Sequence, residues 1–183
     1  MKFGKQEWVA LYRNFVPSQY VKEVFDIKPE TLIEKNIKGI ITDLDNTLVE
    51  WDRPDATPKL VEWLKSMKDA GIQVVIVSNN KELRVKSFAD PLGIPFIHQA
   101  RKPMGRAFRK ALRIMEAKRE QVVVIGDQML TDIFGGNLNK MHTILVLPVA
   151  QSDGFFTRFN RKVERRIMKR LKDKGQLMWE EEN

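Results

Sequence analysis

The sequence contains no cysteine, so neither a disulfide bond nor a thiolate metal site is possible. Its longest apolar runs, such as residues 74–77 and 122–125, are far too short to span a bilayer. The first residues also lack the continuous apolar stretch of a secretory signal. These absences predict a soluble, cytoplasmic protein without membrane-spanning helices.

The composition favours an ordered domain with anionic partners. The chain has 183 residues, of which 43% are hydrophobic, enough for a sizeable core. Its formal net charge of +8 does not choose among nucleic acid, phospholipid and phosphate esters. Much of this charge lies in residues 155–174, where apolar residues at helical spacing face a side rich in Lys and Arg. Such a helix packs on its own domain or contacts an anionic membrane, with nucleic acid as the weaker alternative.

Short apolar segments alternate with amphipathic helical patterns along the middle of the chain. Strands are predicted at residues 40–42, 73–80, 95–98, 121–127 and 143–147. Helices are predicted at residues 29–34, 58–71, 81–90, 104–117 and 129–139. This alternation predicts an α/β fold, a Rossmann-like three-layer α/β/α sandwich around a five-stranded, mainly parallel sheet.

The chain divides into three predicted regions. Residues 1–37 are rich in aromatic side chains, and we expect them to pack on or beside the core, with lipid or partner contact as an alternative. Residues 38–150 form the predicted core, and residues 151–183 form a basic amphipathic helix with an acidic tail. Only about ten residues separate Thr47 from the helix that begins at Pro58, and one helix and one short strand already fill the span between Ser78 and Lys102, so neither gap has room for a large cap domain.

Chemically active side chains follow four of the predicted strands, at the point where each strand ends. In chain order they are Asp43, Asp45 and Thr47, then Ser78 and Asn79, then Lys102, then Asp127 and Asp132. Because ligands of open α/β sheets bind at the carboxyl ends of the strands, we expect these groups to converge. Carboxylates beside a sheet core need a counter-ion or a metal. The pattern therefore predicts a catalytic site.

These groups fit phosphoryl transfer from a monoester through an aspartyl-phosphate intermediate. One carboxylate attacks phosphorus, and Mg²⁺ held by Asp43 and Asp127 offsets the repulsion between carboxylate and phosphate. Asp45, two residues further on, is placed to protonate the leaving group and then to activate water. The remaining polar groups are predicted to hold the phosphoryl oxygens, and these are Thr47, Ser78, Asn79 and Lys102.

Four segments together resemble the motifs of the haloacid dehalogenase superfamily: Asp43-Leu-Asp-Asn-Thr47, Ser78, Lys102-Pro103 and the Asp127 to Asp132 segment. The phrases around residues 41–48 and 126–137 are similar to the YqeG family of subfamily IIIA phosphatases. The resemblance implies Asp43 as nucleophile and Asp45 as acid/base and as a metal ligand through its main-chain carbonyl. It also implies Asp127 as metal ligand, Ser78 and Lys102 on the phosphate, and Asp132 near the metal or Lys102.

The sequence constrains the substrate less than it constrains the reaction. Relatives in this family include phosphatidylglycerophosphate phosphatases, which implies a phospholipid headgroup as the substrate and a role in phospholipid biosynthesis. A site without a cap admits such a membrane-bound ester, and the protein could then lie at the inner face of the membrane. The alternatives are a soluble sugar or nucleotide phosphatase and an RNA- or ribosome-associated protein with incidental catalysis.

Overall fold

A sheet of six parallel strands forms the centre of the computed structural model, which describes residues 13–150. The strands are β1 (Gln19–Val21), β2 (Gly39–Thr42), β3 (Gln73–Val77), β4 (Phe96–Ile97), β5 (Val122–Gly126) and β6 (His142–Val146). Their order across the sheet is β1-β6-β5-β2-β3-β4, and every pair of neighbours is parallel. The predicted α/β fold is confirmed, with one strand more than the five predicted.

Helices cover both faces of this sheet. They are α1 (Pro29–Glu34), α2 (Pro58–Asp69), α3 (Glu82–Ala89), α4 (Gly105–Ile114) and α5 (Phe134–Leu138), and a π-helical turn, Met129–Ile133, precedes α5. One buried cluster joins α2 and α3 to the sheet, and a second joins α4 to its other face. Successive strand residues point to opposite faces, so Ile40 belongs to the first cluster and Ile41 to the second. These are the three predicted layers.

The sixth strand, β1, comes from the aromatic-rich N-terminal segment. Ser18, just before it, donates its main-chain N–H to the hydroxyl of Thr143, a residue of β6, at 3.1 Å. The ring of Phe15 stacks on Phe134 with centroids 4.3 Å apart. The described part of the N-terminal segment therefore extends the sheet at one edge. The domain boundaries predicted at residues 37 and 150 stay predictions, and the basic segment 155–174 lies outside the described residues.

The topology brings the ends of β2, β3 and β5 side by side. Strand β2 lies between the other two, with Thr42 opposite Ile76 of β3 and Ile125 of β5. We call the edge where the strands end the carboxyl edge, and the opposite one the amino edge. Within residues 13–150, no inserted domain covers the carboxyl edge. No helix in this described part has the length and apolar character needed to cross a membrane.

Candidate active site

Three of the predicted carboxylates, those of Asp43, Asp127 and Asp132, meet at the carboxyl edge. Each offers one oxygen, and these oxygens lie within 4.8 Å of one another. Asp43 directly follows β2, Asp127 directly follows β5, and Asp132 lies in the π-helical turn. All three residues are buried. A group of buried carboxylate oxygens at this spacing suits a hard divalent cation such as Mg²⁺.

The position of Asp132 depends on the turn that carries it and on a glycine beside it. The Asp132 carboxylate accepts a hydrogen bond from the main-chain N–H of Gln128 at 3.2 Å, which ties its side chain to the start of the π-helical turn. A Cβ atom on Gly126, the last residue of β5, would lie only 2.3 Å from the Asp132 carboxyl carbon. Asp132 can occupy the end of β5 because residue 126 has no side chain.

Lys102 joins two of the carboxylates through buried ion pairs. Its Nζ lies 2.7 Å from Asp43 Oδ1 and 2.7 Å from Asp132 Oδ1. Burial alone would lower the pKa of Lys102, but the carboxylates of Asp132 and Asp43 outweigh it, so the pKa is raised and the amine stays charged. Burial, with a smaller contribution from Asp43, raises the pKa of Asp132 against the opposing effect of Lys102. One ammonium against three carboxylates leaves an excess of negative charge that favours a cation.

The loop carrying Lys102 is held by Asn79. The Asn79 Oδ1 accepts a hydrogen bond from the Lys102 main-chain N–H at 2.7 Å. Gln99 and Arg101 in this loop have positive φ angles of 45° and 54°, and the Lys102–Pro103 peptide bond is cis. In this structure Asn79 orients Lys102, and its predicted contact with phosphoryl oxygens stays a prediction. Ser78 is buried beside it, and its hydroxyl accepts a hydrogen bond from the Asn80 main-chain N–H at 3.1 Å.

Thr47 positions Asp127. Its hydroxyl donates to Asp127 Oδ1 at 3.0 Å and accepts from the Asp127 main-chain N–H at 3.0 Å. The loop that carries Thr47 is tightly wound, since the carbonyl of Leu44 accepts hydrogen bonds from the N–H groups of Thr47 and Leu48. Thr47 therefore holds one carboxylate of the three-carboxylate group in place. The sequence had predicted only that Thr47 binds substrate.

Asp45 lies outside the three-carboxylate group and has partners that the sequence did not reveal. Its Oδ1 accepts a hydrogen bond from Arg84 Nε at 3.0 Å, and its Oδ2 accepts one from Asn80 Nδ2 at 3.0 Å. Burial raises the pKa of Asp45, the Asn80 hydrogen bond lowers it, the Asp43 charge raises it and Arg84 lowers it, with a net rise. A carboxyl group with a raised pKa can exchange protons with a substrate held beside it. Arg84 lies six residues after Ser78, in the first turn of α3.

The fold and this site define a hydrolase of the haloacid dehalogenase-like family, to which the chain belongs. The model of that family, haloacid dehalogenase-like hydrolase, matches residues 49–137, a range that begins just after the loop carrying Asp43 and Asp45. A Bacillus subtilis (strain 168) protein described as "Probable phosphatase YqeG" is 66% identical over 171 residues, covering 93% of this chain and 99% of that protein. The predictions that the chain belongs to the YqeG family and that it is a phosphatase are thereby confirmed.

For more distant relatives, this chain either matches only part of the relative's length or shares only its fold. The Arabidopsis thaliana protein "Phosphatidylglycerophosphate phosphatase 1, chloroplastic/mitochondrial" is 29% identical over 175 residues, covering 89% of this chain but only 50% of that protein. The cobalt-bound deoxy-D-mannose-octulosonate 8-phosphate phosphatase of Haemophilus influenzae superposes with a TM-score of 0.53 at 18% identity, covering 74% of this chain and 89% of that one. This likeness shows the shared fold alone.

Proposed function

We propose that this phosphatase hydrolyses its monoester substrate in two steps through a phosphorylated Asp43 and depends on Mg²⁺. The observation that carries the proposal is the buried group of Asp43, Asp127 and Asp132 with Lys102 at the carboxyl edge. Asp43 lies at the centre of this edge because β2 lies between β3 and β5. Asp43 is also the most exposed of the three buried carboxylates, at 7%.

In the first step, a carboxylate oxygen of Asp43 forms a bond to phosphorus while the bond between phosphorus and the ester oxygen breaks. Asp45 gives its proton to the departing alkoxide, which leaves as an alcohol. Lys102 holds Asp43 through the ion pair between its Nζ and Asp43 Oδ1, at 2.7 Å, and donates to the phosphoryl oxygens as their charge redistributes. Ser78 supplies a further hydrogen-bond donor on the side of β3.

In the second step, Asp45 takes a proton from a water molecule, and that water attacks the phosphorus of the acyl phosphate. The bond between phosphorus and the Asp43 oxygen breaks, which releases inorganic phosphate and restores the Asp43 carboxylate. Arg84 and Asn80 orient Asp45 for both transfers through their hydrogen bonds to its two oxygens.

The donor set fits a resident Mg²⁺ ion, because three buried carboxylates face one ammonium. Asp43, Asp127 and Asp132 would hold the ion, together with the main-chain carbonyl of Asp45. When bound, the ion supplies positive charge between the anionic nucleophile and the anionic phosphate. Thr47 keeps Asp127 in place for this role.

For the substrate, we propose phosphatidylglycerophosphate, cleaved to phosphatidylglycerol and phosphate in phospholipid biosynthesis. The names of the Arabidopsis and Chlamydomonas relatives support this choice, although the chain spans only about half the length of those proteins. The uncovered carboxyl edge supports it as well, because an ester anchored in a bilayer needs an open entrance. The enzyme would act in the cytoplasm, at the inner face of the membrane.

A panel of phosphomonoesters tests both parts of the proposal. Phosphatidylglycerophosphate should be cleaved with a higher kcat/KM than sugar phosphates, nucleotides and an aryl phosphate. Asp43→Asn and removal of Mg²⁺ by a chelator should each abolish release of phosphate from every substrate. Preference for a sugar phosphate or nucleotide would replace the lipid with a soluble substrate. Activity that survives in Asp43→Asn or in the chelator would overturn the mechanism.

A further inference from the structure

Exposed apolar side chains are concentrated around the entrance to the site. Of the nine large apolar residues that the described part of the chain leaves exposed, five belong to segments that leave the carboxyl ends of strands. They are Trp51, Leu83, Met104, Leu147 and Val149, and we call them the rim. Leu83 is 81% exposed and Met104 is 65% exposed, the two largest values among the nine. Apolar groups exposed together at one end of a protein mark a contact surface.

Exposed cations accompany the rim at three places, two of them on segments that carry rim residues. Lys81 lies two residues before Leu83, and Arg101 lies three residues before Met104. The third cation, Lys22, lies beside Leu147, whose main-chain N–H donates to the Lys22 carbonyl at 3.2 Å.

The three cations are available to an external anion. Among the described residues, none of Lys22, Lys81 and Arg101 takes part in an ion pair. Two acids of this edge already have basic neighbours, since Glu82 lies 3.7 Å from His98 and Glu50 pairs with Arg53.

We propose that the rim inserts into the surface of an anionic bilayer, so that the active site opens directly onto lipid headgroups. This inference rests on the proposed lipid substrate and gives the enzyme a way to reach it without extracting it from the membrane. Apolar side chains enter the boundary between headgroups and acyl chains, and each neighbouring cation gains from anionic phosphate. Trp51 is a residue type enriched at this boundary.

A second copy of the chain fits this surface less well than a bilayer does. Two copies facing each other through the rim would close the entrance to both active sites. A two-fold interface would also bring Lys22, Lys81 and Arg101 of both copies into one contact, where like charges repel. A bilayer instead supplies the substrate and the opposite charge together.

Vesicle binding by the full chain tests the proposal with a matched pair of variants. The rim variant carries Leu83→Gln and Met104→Gln. The control variant carries Ile114→Gln and Leu138→Gln, which remove two exposed apolar side chains from the last residues of α4 and α5, at the amino edge. Flotation with phosphatidylglycerol vesicles should show about tenfold weaker binding for the rim variant, the effect of withdrawing part of two apolar side chains from lipid. The control variant should bind like the unchanged protein.

Each of the following outcomes would contradict the proposal or part of it. Equal binding by both variants would mean that lipid is contacted elsewhere, for example by residues 155–174. Equal binding to phosphatidylcholine and phosphatidylglycerol vesicles would remove the role of the three cations. A change of oligomeric state in the rim variant alone, measured by analytical ultracentrifugation without lipid, would assign the rim to contacts between copies.

Activity measurements separate the failure of this inference from the failure of the proposed function. The rim variant should hydrolyse a soluble aryl phosphate at the unchanged rate, but phosphatidylglycerophosphate in vesicles about tenfold more slowly. Equal hydrolysis of the lipid by all three proteins would leave the lipid substrate in place and reject docking through the rim. Rim-dependent vesicle binding without any hydrolysis of the lipid would reject the substrate and retain the docking surface.

Discussion

At the amino edge of the sheet, the turns that lead from helices into strands share one backbone feature. Each contains a residue with positive φ shortly after a helix ends, and these residues are Asn36, Gly71, Gly93, Glu116 and Lys140. At the carboxyl edge, positive φ angles occur at Asn46, Gln99 and Arg101, within the loops that carry the site. The first edge repeats a general way of ending helices, whereas the second uses unusual backbone conformations to place particular side chains.

The ion pairs of the two edges differ in their burial. Lys65 and Asp69, in the second half of α2, form an exposed ion pair of 2.7 Å, the same length as the buried pair of Lys102 and Asp43. An exposed pair contributes little because water and salt screen it, whereas a buried charge depends on its partner. The comparison shows that the carboxyl edge keeps charges where stability alone would not place them.

Removing the buried ammonium should have the largest effect. Lys102→Met leaves Asp43 and Asp132 close together without their cation, so we expect at least about a hundredfold loss of kcat and about 3 kcal/mol lower unfolding free energy. Lys65→Met, the matched change in the exposed pair, should alter neither. Urea unfolding in the presence of a chelator, with phosphate-release kinetics, measures both quantities. Similar results for the two variants would mean that burial does not distinguish these pairs.

Adding one methyl group at the end of β5 should have the next largest effect. In Gly126→Ala the new Cβ would lie 2.3 Å from the Asp132 carboxyl carbon, so Asp132 must leave its place beside Lys102. We expect kcat to fall about thirtyfold, within the range seen when a supporting contact of a site is lost. Gly39→Ala, at the start of β2, meets the flexible side chain of Met115 and, at 3.3 Å, Val122 Cγ2, but no residue of the site, and should leave kcat unchanged. Full activity in Gly126→Ala would show that Asp132 is not needed in its present place.

Loss of the guanidinium beside Asp45 should have a smaller effect. Arg84→Gln removes the hydrogen bond to Asp45 Oδ1 while Asn80 still holds Oδ2, so we expect about a tenfold lower kcat. Arg84→Lys should recover part of the activity, whereas Lys86→Gln on the same helix should have no effect. Steady-state kinetics with an aryl phosphate measures these rates. An Arg84→Gln enzyme with a normal kcat but a raised KM would assign Arg84 to substrate binding.

The smallest effect on the maximal rate is expected from Thr47→Val. This change removes the hydroxyl that joins the side chain and main chain of Asp127, so the proposed Mg²⁺ site should weaken about tenfold. The Mg²⁺ concentration giving half-maximal activity should rise accordingly, while the rate at saturating Mg²⁺ should change little. A Mg²⁺ titration of activity measures both. A fall in the saturated rate with unchanged Mg²⁺ dependence would instead support the predicted contact of Thr47 with substrate.

The sequence predicted the parts of this molecule that follow from periodicity and from the ends of strands. The buried runs of β2, β3 and β5 are apolar and β-branched, and acids follow two of them, so their neighbourhood in a parallel sheet could be inferred. Gly71 marked the end of α2 because glycine readily adopts the positive φ angle found there. Asp43, Asp127 and Asp132 were expected together, and they lie together.

The remaining features depend on contacts that have no local signal. Strand β1 has only three residues, follows Pro17 and is held by contacts with β6, more than a hundred positions away. Arg84 lies in an ordinary charged helix, and its contact with Asp45 depends on how α3 packs beside the loop after β2. The hydrogen bonds of Asn79 and Thr47 likewise join residues far apart in the chain, so their side chains could be assigned to the site but not to a partner.

The pairing of β2 with β5 also has a consequence for how this enzyme is made. Thr47 and Asp127 are separated by 80 positions and meet only when those two strands are aligned. A chain emerging from the ribosome would possess Asp43, the proposed nucleophile, long before Asp127 and Asp132, and a fragment ending ahead of residue 122 would lack the three-carboxylate group however well its helices form. Recovery of turnover during refolding would therefore report the completion of the central sheet, the slow event in topologies with distant partners.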